Sequence, residues 1–185
     1  MAPLYIIIAA IAVAVIVLII VVWYISTSNS LNRAVVKIDE ARSGIDVALT
    51  KRYDVLTKMI DVVKSYAEHE KETLFEVIKL RKDMSMQEIN DANRAMDENF
   101  KRINVVAESY PELKSSENYK TLQQSIADTE EHLQAARRLY NSNVSFYNQM
   151  LVSFPASSIA KKKGMTKKEF FEADEVKKED VKIDL

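Results

Sequence analysis

Residues 137–151, RRLYNSNVSFYNQML, contain the same Tyr-Asn pair twice, seven residues apart. The two tyrosines belong to a longer repeat with a strict interval of seven, whose members are Tyr119, Ile126, Leu133, Tyr140, Tyr147 and Phe154. Apolar side chains at this interval lie along one face of a helix when neighbouring helices wind gently around each other. The repeat therefore predicts a helix over about residues 117–153, with both tyrosines in a core.

Polar residues flank this repeat, and others interrupt or flank the stripe of an earlier helix. The set comprises Glu130, Arg137, Asn141 and Asn148 beside the repeat, and Arg42, Asp46, Arg52 and Asp54 near the earlier stripe. Polar groups beside a core are stabilised when they bind one another, and such networks fix the register between helices. We interpret the set as a polar network. The alternatives are a pocket for a polar ligand or ion, and a solvated face.

Two other helices are predicted before this one. Apolar residues recur at alternating steps of four and three across residues 31–83, which predicts one long helix packed along a narrow stripe. Ser85 and Glu88 have the spacing of a capping box, and Pro111 ends the helix that begins there. The sequence thus predicts an all-α fold with an antiparallel, coiled-coil-like bundle of long helices in residues 26–154. The bundle helices are about 31–83, 86–109 and 117–153.

An uncharged apolar segment precedes the bundle. Residues 4–25, LYIIIAAIAVAVIVLIIVVWYI, make about 33 Å of helix, enough to cross a hydrocarbon core of about 30 Å. Tyr5 and the Trp23-Tyr24 pair fall where aromatic rings prefer to lie, at the two water interfaces. A cleaved signal peptide, the alternative, has a shorter apolar region that follows basic residues. We therefore predict a transmembrane helix in a lipid bilayer.

Basic residues near this span predict its orientation. None occurs among residues 1–3, whereas Arg33, Lys37 and Arg42 follow the span. Basic residues favour the cytoplasmic side. We expect a single-pass protein of the cell (inner) membrane, with its N-terminus outside and its C-terminal domain in the cytoplasm.

Composition and motifs exclude several classes of function. A net charge of −1 lacks the basic surplus of a nucleic-acid-binding protein. The absence of cysteine excludes disulfides and thiolate metal sites, and two glycines leave no phosphate-binding loop. The residues three positions before His69 and His132 are Tyr66 and Thr129, so the Glu-x-x-His motif of di-iron bundles is missing. We predict no enzyme activity, no cofactor and no metal.

Residues 155–185 form a charged tail with short predicted helical pieces. Five lysines surround Phe170 and Phe171, and acidic residues follow them. We interpret the tail as a solvated, partly disordered end with balanced charge. Contact of its basic cluster with anionic lipid is the alternative.

The predicted lengths leave part of the first helix without a partner. That helix spans about 80 Å and the second about 36 Å, so a hairpin at Met84-Ser85 brings the second helix back only part of the way. The side chains left over, here named the membrane-proximal stripe, are Leu31, Val35, Ile38, Ile45 and Leu49. Leaving them in water forgoes about 10 kcal/mol. The stripe therefore predicts an oligomer seam. The alternatives are a partner protein, a fold-back at Ser43-Gly44, or coverage by the last 30 residues.

Short motifs along nearly the whole chain, in order, carry a resemblance to a known family. They are Ala41-Arg42, Ile45-Asp46-Val47, Leu49, Lys51-Arg52-Tyr53-Asp54, Tyr66-Ala67, His69-Glu70, Arg81, Tyr110-Pro111-Glu112-Leu113-Lys114, Leu122-Gln123, Glu130, Ala136-Arg137, Tyr140-Asn141, Val144, Tyr147-Asn148, Phe154-Pro155 and Phe170-Phe171. Together they resemble the LemA family of membrane-anchored bacterial proteins. The resemblance implies a short outside N-terminus, one membrane span and a long-helix bundle. It supplies no catalytic residues.

From these observations we predict a non-enzymatic, membrane-anchored scaffold that self-assembles as a homo-oligomer through the membrane-proximal stripe. One alternative is a monomeric adaptor that presents the groove beside Tyr140 and Tyr147 to an unidentified protein partner. The other is a sensor that binds a small ligand along the polar row.

Overall fold

All regular structure in the described part of the chain is helical, which confirms the predicted fold class. The structure, a computed structural model, describes residues 2–66, 80–81 and 83–171. Its helices are α1 (Ala2–Tyr66), α2 (Met86–Ser109), α3 (Pro111–Ser115), α4 (Glu117–Val152) and α5 (Ala156–Lys162). The chain divides into two compact units, Met1–Glu40 with Ser142–Lys168 and Ala41–Asn141 with Glu169–Leu185. Helices α1 and α4 each contribute residues to both units.

Helix α1 joins the apolar segment to the first helix of the bundle without a break. The polar residues 26–30 between them are helical as well. Side chains from Leu4 to Ile25 are exposed, and the most apolar window has a mean hydropathy of 3.5 with no buried residue. Among the residues that the structure describes, α1 is the one helix long and apolar enough to cross a membrane. It is a candidate membrane span.

The first unit contains this span and the end of α4. The side-chain amide of Asn143 donates a hydrogen bond to the carbonyl oxygen of Lys37 at 3.0 Å. Leu31 is fully buried in a small cluster with Ile159 and Ala160 of α5. The side chain of Leu31 is therefore covered from within its own chain.

In the second unit, α4 lies antiparallel to α1. Arg52 of α1 pairs with Glu130 of α4 at 3.3 Å, and Gly44 of α1 lies beside Ala136 of α4. The residue number thus rises from Gly44 to Arg52 in α1 while it falls from Ala136 to Glu130 in α4. This pairing gives the bundle its antiparallel arrangement. The core of the unit comprises Leu56, Met59, Ile60, Val63, Met96, Phe100, Ile103, Val106, Ala107, Leu113 and Tyr119.

Helix α2 runs in the same direction as α1. Arg42 donates to the carbonyl oxygen of Met84, and Arg52 donates to the side chain of Asn93. These partners are 42 and 41 positions apart, and a constant separation is the mark of parallel helices. The prediction that α2 runs back along α1 from Met84-Ser85 is therefore wrong.

The predicted extent of the first bundle helix to Asp83 also needs correction. Leu80, Arg81 and Asp83 lie outside helices, and Asp83 has a φ of 67°, in the left-handed region that does not continue a helix. The described part of α1 ends at Tyr66. The prediction for residues 67–79 and 82 lies outside the described residues.

The membrane-proximal stripe is covered within the chain. Leu31, Ile38, Ile45 and Leu49 are each at most 2% exposed, and Val35 is half-buried. The expectation that these side chains lack an intrachain partner is wrong. Its error follows from the hairpin, because a parallel α2 frees the long helix α4 to pack back along α1. Nor does α1 fold back at Ser43-Gly44, since it is helical throughout.

We expect Gly44→Ala to stabilise the protein by about 0.5–1 kcal/mol, because alanine has a higher helix propensity than glycine. A Cβ at this position would lie 3.9 Å from the Cβ of Ala136, an ordinary contact. Denaturant unfolding in mild detergent measures the change. The matched control is Gly164→Ala, where a φ of 65° makes a side chain costly, and we expect it to destabilise. A destabilised Gly44→Ala protein would contradict the continuous, closely packed helix.

A capping box starts α2 as predicted. The backbone N–H of Ser85 donates to the Glu88 carboxylate at 2.7 Å, and the N–H of Glu88 donates to Ser85 Oγ at 3.2 Å. The backbone hydrogen bond from Ser85 holds the pKa of Glu88 below its ordinary value, aided by its side-chain bond with Ser85 and by the charge of Arg81. Because this pKa is lowered, the ionised carboxylate stabilises α2 fully at pH values above the ordinary glutamate pKa. That contribution is lost as the pH falls through the lowered pKa.

We expect the unfolding temperature of the wild-type protein to exceed that of Glu88→Gln at neutral pH. The two should converge in acid, where the carboxylate is protonated and the cap loses its charge. Thermal unfolding of both proteins across the acid range measures this difference. A gap that stays constant with pH would show that the charge of Glu88 contributes nothing to the cap.

Candidate functional site

The first Tyr-Asn pair binds the main chain near the C-terminal end of the described residues. The hydroxyl of Tyr140 donates to the carbonyl oxygen of Glu169 at 3.0 Å. The side-chain amide of Asn141 donates to the carbonyl oxygen of Phe171 at 2.8 Å, and it accepts from the N–H of Phe171 at 2.9 Å. One asparagine therefore satisfies both polar groups of one residue's main chain.

The second pair makes the same contacts in the other unit. The hydroxyl of Tyr147 donates to the carbonyl oxygen of Thr166 at 3.1 Å. The amide of Asn148 donates to the carbonyl oxygen of Lys168 and accepts from its N–H, both at 2.9 Å. In each pair the tyrosine binds one residue and the asparagine binds the residue two positions further on.

This pattern resembles one rung of a β-ladder. In an antiparallel ladder, a residue exchanges both its N–H and its C=O bonds with a single neighbour, and here an asparagine amide takes the neighbour's place. The bonds reach only main-chain atoms of the bound segment, so they do not depend on its side chains. We name each pair a Tyr-Asn clamp and residues 165–171 the tail segment.

The clamps lie partly within the core. Tyr140 and Tyr147 are buried, as the seven-residue repeat predicts, and Phe171 is only 1% exposed. Burial raises the pKa of the Tyr147 hydroxyl, which keeps it protonated as a donor over a wider pH range. In contrast, the side chains of residues 166–169 are exposed. The bound segment is thus fixed by its main chain, by the buried ring of Phe171 and by Met165, which packs half-buried against the cluster of Leu31, Ile159 and Ala160.

A second polar centre surrounds Arg52 in the middle of the second unit. Arg52 is 3% exposed; its guanidinium pairs with Asp97 of α2 and, at 3.3 Å, with Glu130 of α4. It also donates to the side chain of Asn93 and lies 5.2 Å from the ring centre of Phe100. One cation therefore connects three helices. This geometry suits a register-fixing network better than an open ligand site.

The remaining predicted polar residues have separate surroundings. Arg42 binds the carbonyl oxygen of Met84, which precedes α2. Partial burial raises the pKa of Asp46, and the charge of Arg42 acts in the opposite direction. Asp54 is exposed and Arg137 is half-buried. The predicted polar residues thus do not form one site: Glu130 belongs to the Arg52 centre, Asp46 lies near Arg42, and Asn141 and Asn148 belong to the clamps.

Metal-binding side chains do not cluster in the described parts of the chain. No three His, Cys, Asp or Glu residues there lie close enough together to hold an ion. His132 borders an open cavity that Gly44 and Thr129 also line. His69 lies outside the described residues.

Comparison with known proteins places this architecture in a family. The profile of the LemA family matches residues 41–185, which include all of α2 to α5 and both clamps. The chain belongs to the LemA family. It is also 28% identical over 163 residues to Protein LemA of Metamycoplasma hominis, which covers 85% of this chain and 74% of that protein.

Sequence patterns indicate the residues of the Tyr-Asn clamps but not their partner. The repeated Tyr-Asn pairs and the Phe170-Phe171 pair both belong to the resemblance, whereas the composition of residues 155–185 predicts a solvated end, and the structure instead has residues 166–171 bound to the clamps. The clamps bind main-chain atoms, which every residue has, so the sequence of the bound segment does not reveal that it is bound. The available signal was the repetition itself, because two identical polar pairs beside an apolar stripe indicate two identical contacts.

Proposed function

We propose that this LemA-family chain is a non-enzymatic scaffold that is anchored in the cell (inner) membrane and assembles with further copies of itself. Its N-terminus lies outside and its bundle lies in the cytoplasm. The observation that carries the proposal is the continuity of α1, which is an exposed apolar helix over residues 4–25 and a core helix from Leu31 to Val63. Apolar side chains exposed over such a length are stable in lipid and not in water.

Two features support a scaffold over an enzyme. Arg52, a buried cation, is paired with Asp97 and Glu130, so it is engaged in holding helices together. The clamps bind main-chain atoms, which suits recognition of a protein segment better than chemistry on a substrate.

Self-assembly in this proposal does not use the membrane-proximal stripe. Four of its five side chains are buried within one chain, so no free energy remains to be gained by covering them again. The adaptor alternative is favoured by one observation: both clamps bind main-chain atoms, which a partner protein can supply too.

Anchoring and orientation can be tested with single cysteines, because the chain contains none of its own. We expect the protein to resist alkaline extraction from membranes. A membrane-impermeant maleimide should label Ala2→Cys in intact cells and Glu40→Cys only after lysis. Release by alkali would overturn the anchor, and the reverse labelling pattern would overturn the orientation.

Assembly can be tested by counting copies and by cross-linking. Single-molecule photobleaching of a fluorescent fusion should show more than one step per spot in native membranes. Cysteines at Ile38 and Leu49 should give no more disulfide between copies than Glu40→Cys, because both side chains are buried. Single-step spots throughout would overturn self-assembly. Preferential cross-linking at Ile38 and Leu49 would show that copies do meet along the membrane-proximal stripe.

A further inference from the structure

We propose that each Tyr-Asn clamp is a binding site for the main chain of a peptide segment, that the chain's own tail segment occupies the clamps, and that the tail segment of a second copy is the exchange partner. This inference rests on the proposed function, since it names the surface through which the scaffold assembles.

The chemistry of the clamps admits an identical segment from another molecule. Each clamp offers one hydroxyl donor and one amide that pairs with the N–H and C=O of a single residue, Lys168 in one case and Phe171 in the other. The same atoms are present in every copy. An exchanged segment therefore restores all the contacts of the original, which is why exchange of identical elements is a low-cost route to assembly.

The attachment of the tail segment favours exchange. Gly164 lies between α5 and the tail segment and has a φ of 65°. Glycine adopts both positive and negative φ values without steric cost, so the chain can change direction at this residue. Six hydrogen bonds and the buried side chain of Phe171 hold the segment at the clamps, and Met165 at its start packs half-buried against Leu31, Ile159 and Ala160. Such a small contact opens at lower free energy than the whole bundle. Confinement of copies to one membrane raises their effective concentration for the exchange.

Two full-length variants with complementary defects test the exchange. The tail variant carries Lys168→Pro and Phe171→Ala, which remove an N–H and the buried ring. The clamp variant carries Asn141→Leu and Asn148→Leu, which keep the side-chain size and remove the amides. Each variant receives a different affinity tag and is reconstituted alone or with the other. Circular dichroism shows whether both remain helical.

We expect each variant alone to capture little of itself. A mixture of the two should give at least about tenfold more capture, because the intact tail of one enters the intact clamps of the other. Wild-type chains with the two tags should also capture each other, and Phe170→Ala, which changes an exposed side chain, should behave as wild type. A mixture no better than either variant alone would overturn the exchange.

A measurement on the wild-type protein is independent of how the variants fold. An excess of a synthetic peptide with the sequence of residues 163–172, KGMTKKEFFE, should dissolve the capture between wild-type chains. The same peptide with Lys168→Pro and Phe171→Ala should not. If neither peptide dissolves the capture, the exchange is wrong while self-assembly stands. If wild-type chains are single by photobleaching and do not capture each other, both proposals fail.

Discussion

Replacement of Phe171 by alanine is expected to release the end of the tail segment from the first clamp while the helices stay folded. The ring is 1% exposed, and loss of a buried phenylalanine costs about 3–5 kcal/mol. Because the segment is held by few other contacts, this cost appears as local opening. We expect amide hydrogen exchange at Phe171 to accelerate about 100-fold or more, the change that corresponds to roughly 3 kcal/mol.

The neighbouring residue provides the control for this experiment. Phe170 is 46% exposed, so Phe170→Ala removes an aromatic ring of the same size from a position that contributes little burial. We expect exchange at Phe171 to change less than about threefold in that variant. Equal acceleration of hydrogen exchange in both variants would mean that the tail segment is held by general hydrophobic contact and not by burial of the Phe171 ring.

Arg52→Met is expected to destabilise the second unit by about 3 kcal/mol, because breaking a buried ion pair leaves its carboxylates without compensation. The side chain of Arg52 is 4% exposed, whereas those of Asp97 and Glu130 are 21% and 32% exposed. Partial solvation of the two carboxylates places the estimate at the lower end of the usual 3–5 kcal/mol. Methionine retains an apolar side chain next to Phe100, so the change in the free energy of unfolding reports the loss of the charged guanidinium. Denaturant unfolding gives the value.

The exposed ion pair of Arg81 with Glu88 is the matched comparison. Its side chains are 73% and 47% exposed, and Arg81→Met should cost no more than about 0.5 kcal/mol. Arg52→Lys keeps the charge but loses the planar guanidinium that binds several partners at once, so we expect an intermediate loss. If Arg52→Met proved as mild as Arg81→Met, the three helices would be held by apolar packing alone.

Local patterns in the sequence determined much of this fold. The seven-residue repeat through Tyr140 and Tyr147 predicted a long helix with buried tyrosines, and Ser85 with Glu88 predicted the start of α2. Both signals lie within one or two helical turns, where spacing alone sets which side chains share a face. The apolar span also followed from composition.

The direction of α2 could not be predicted from such patterns. A capping box shows where a helix begins, but it does not show whether that helix runs parallel or antiparallel to the helix before it. Parallel and antiparallel packing bury the same stripe, so the apolar spacing of α2 fits both. The error about the membrane-proximal stripe followed from this one choice. Contacts such as Arg42 with Met84 resolve it, and they join residues 42 positions apart.

Sequence patterns indicate polar residues of the candidate site but not all of their partners. The interpretation as a polar network includes Glu130 and Arg52, whose side chains lie 3.3 Å apart in the structure. It also includes Asn141 and Asn148, which bind the main chain of the tail segment. Periodicity locates a polar residue on a helix face, but it does not identify a partner that contributes only main-chain atoms.

The unbroken course of α1 fixes the rotation between the candidate membrane span and the helix face that carries Leu31. Successive residues of a helix are rotated by about 100°, so residues 26–30 set the direction in which that face points relative to residues 4–25. Insertion of one alanine among them would rotate the face by about a quarter turn relative to the span. The five polar residues therefore determine an angle as well as a distance.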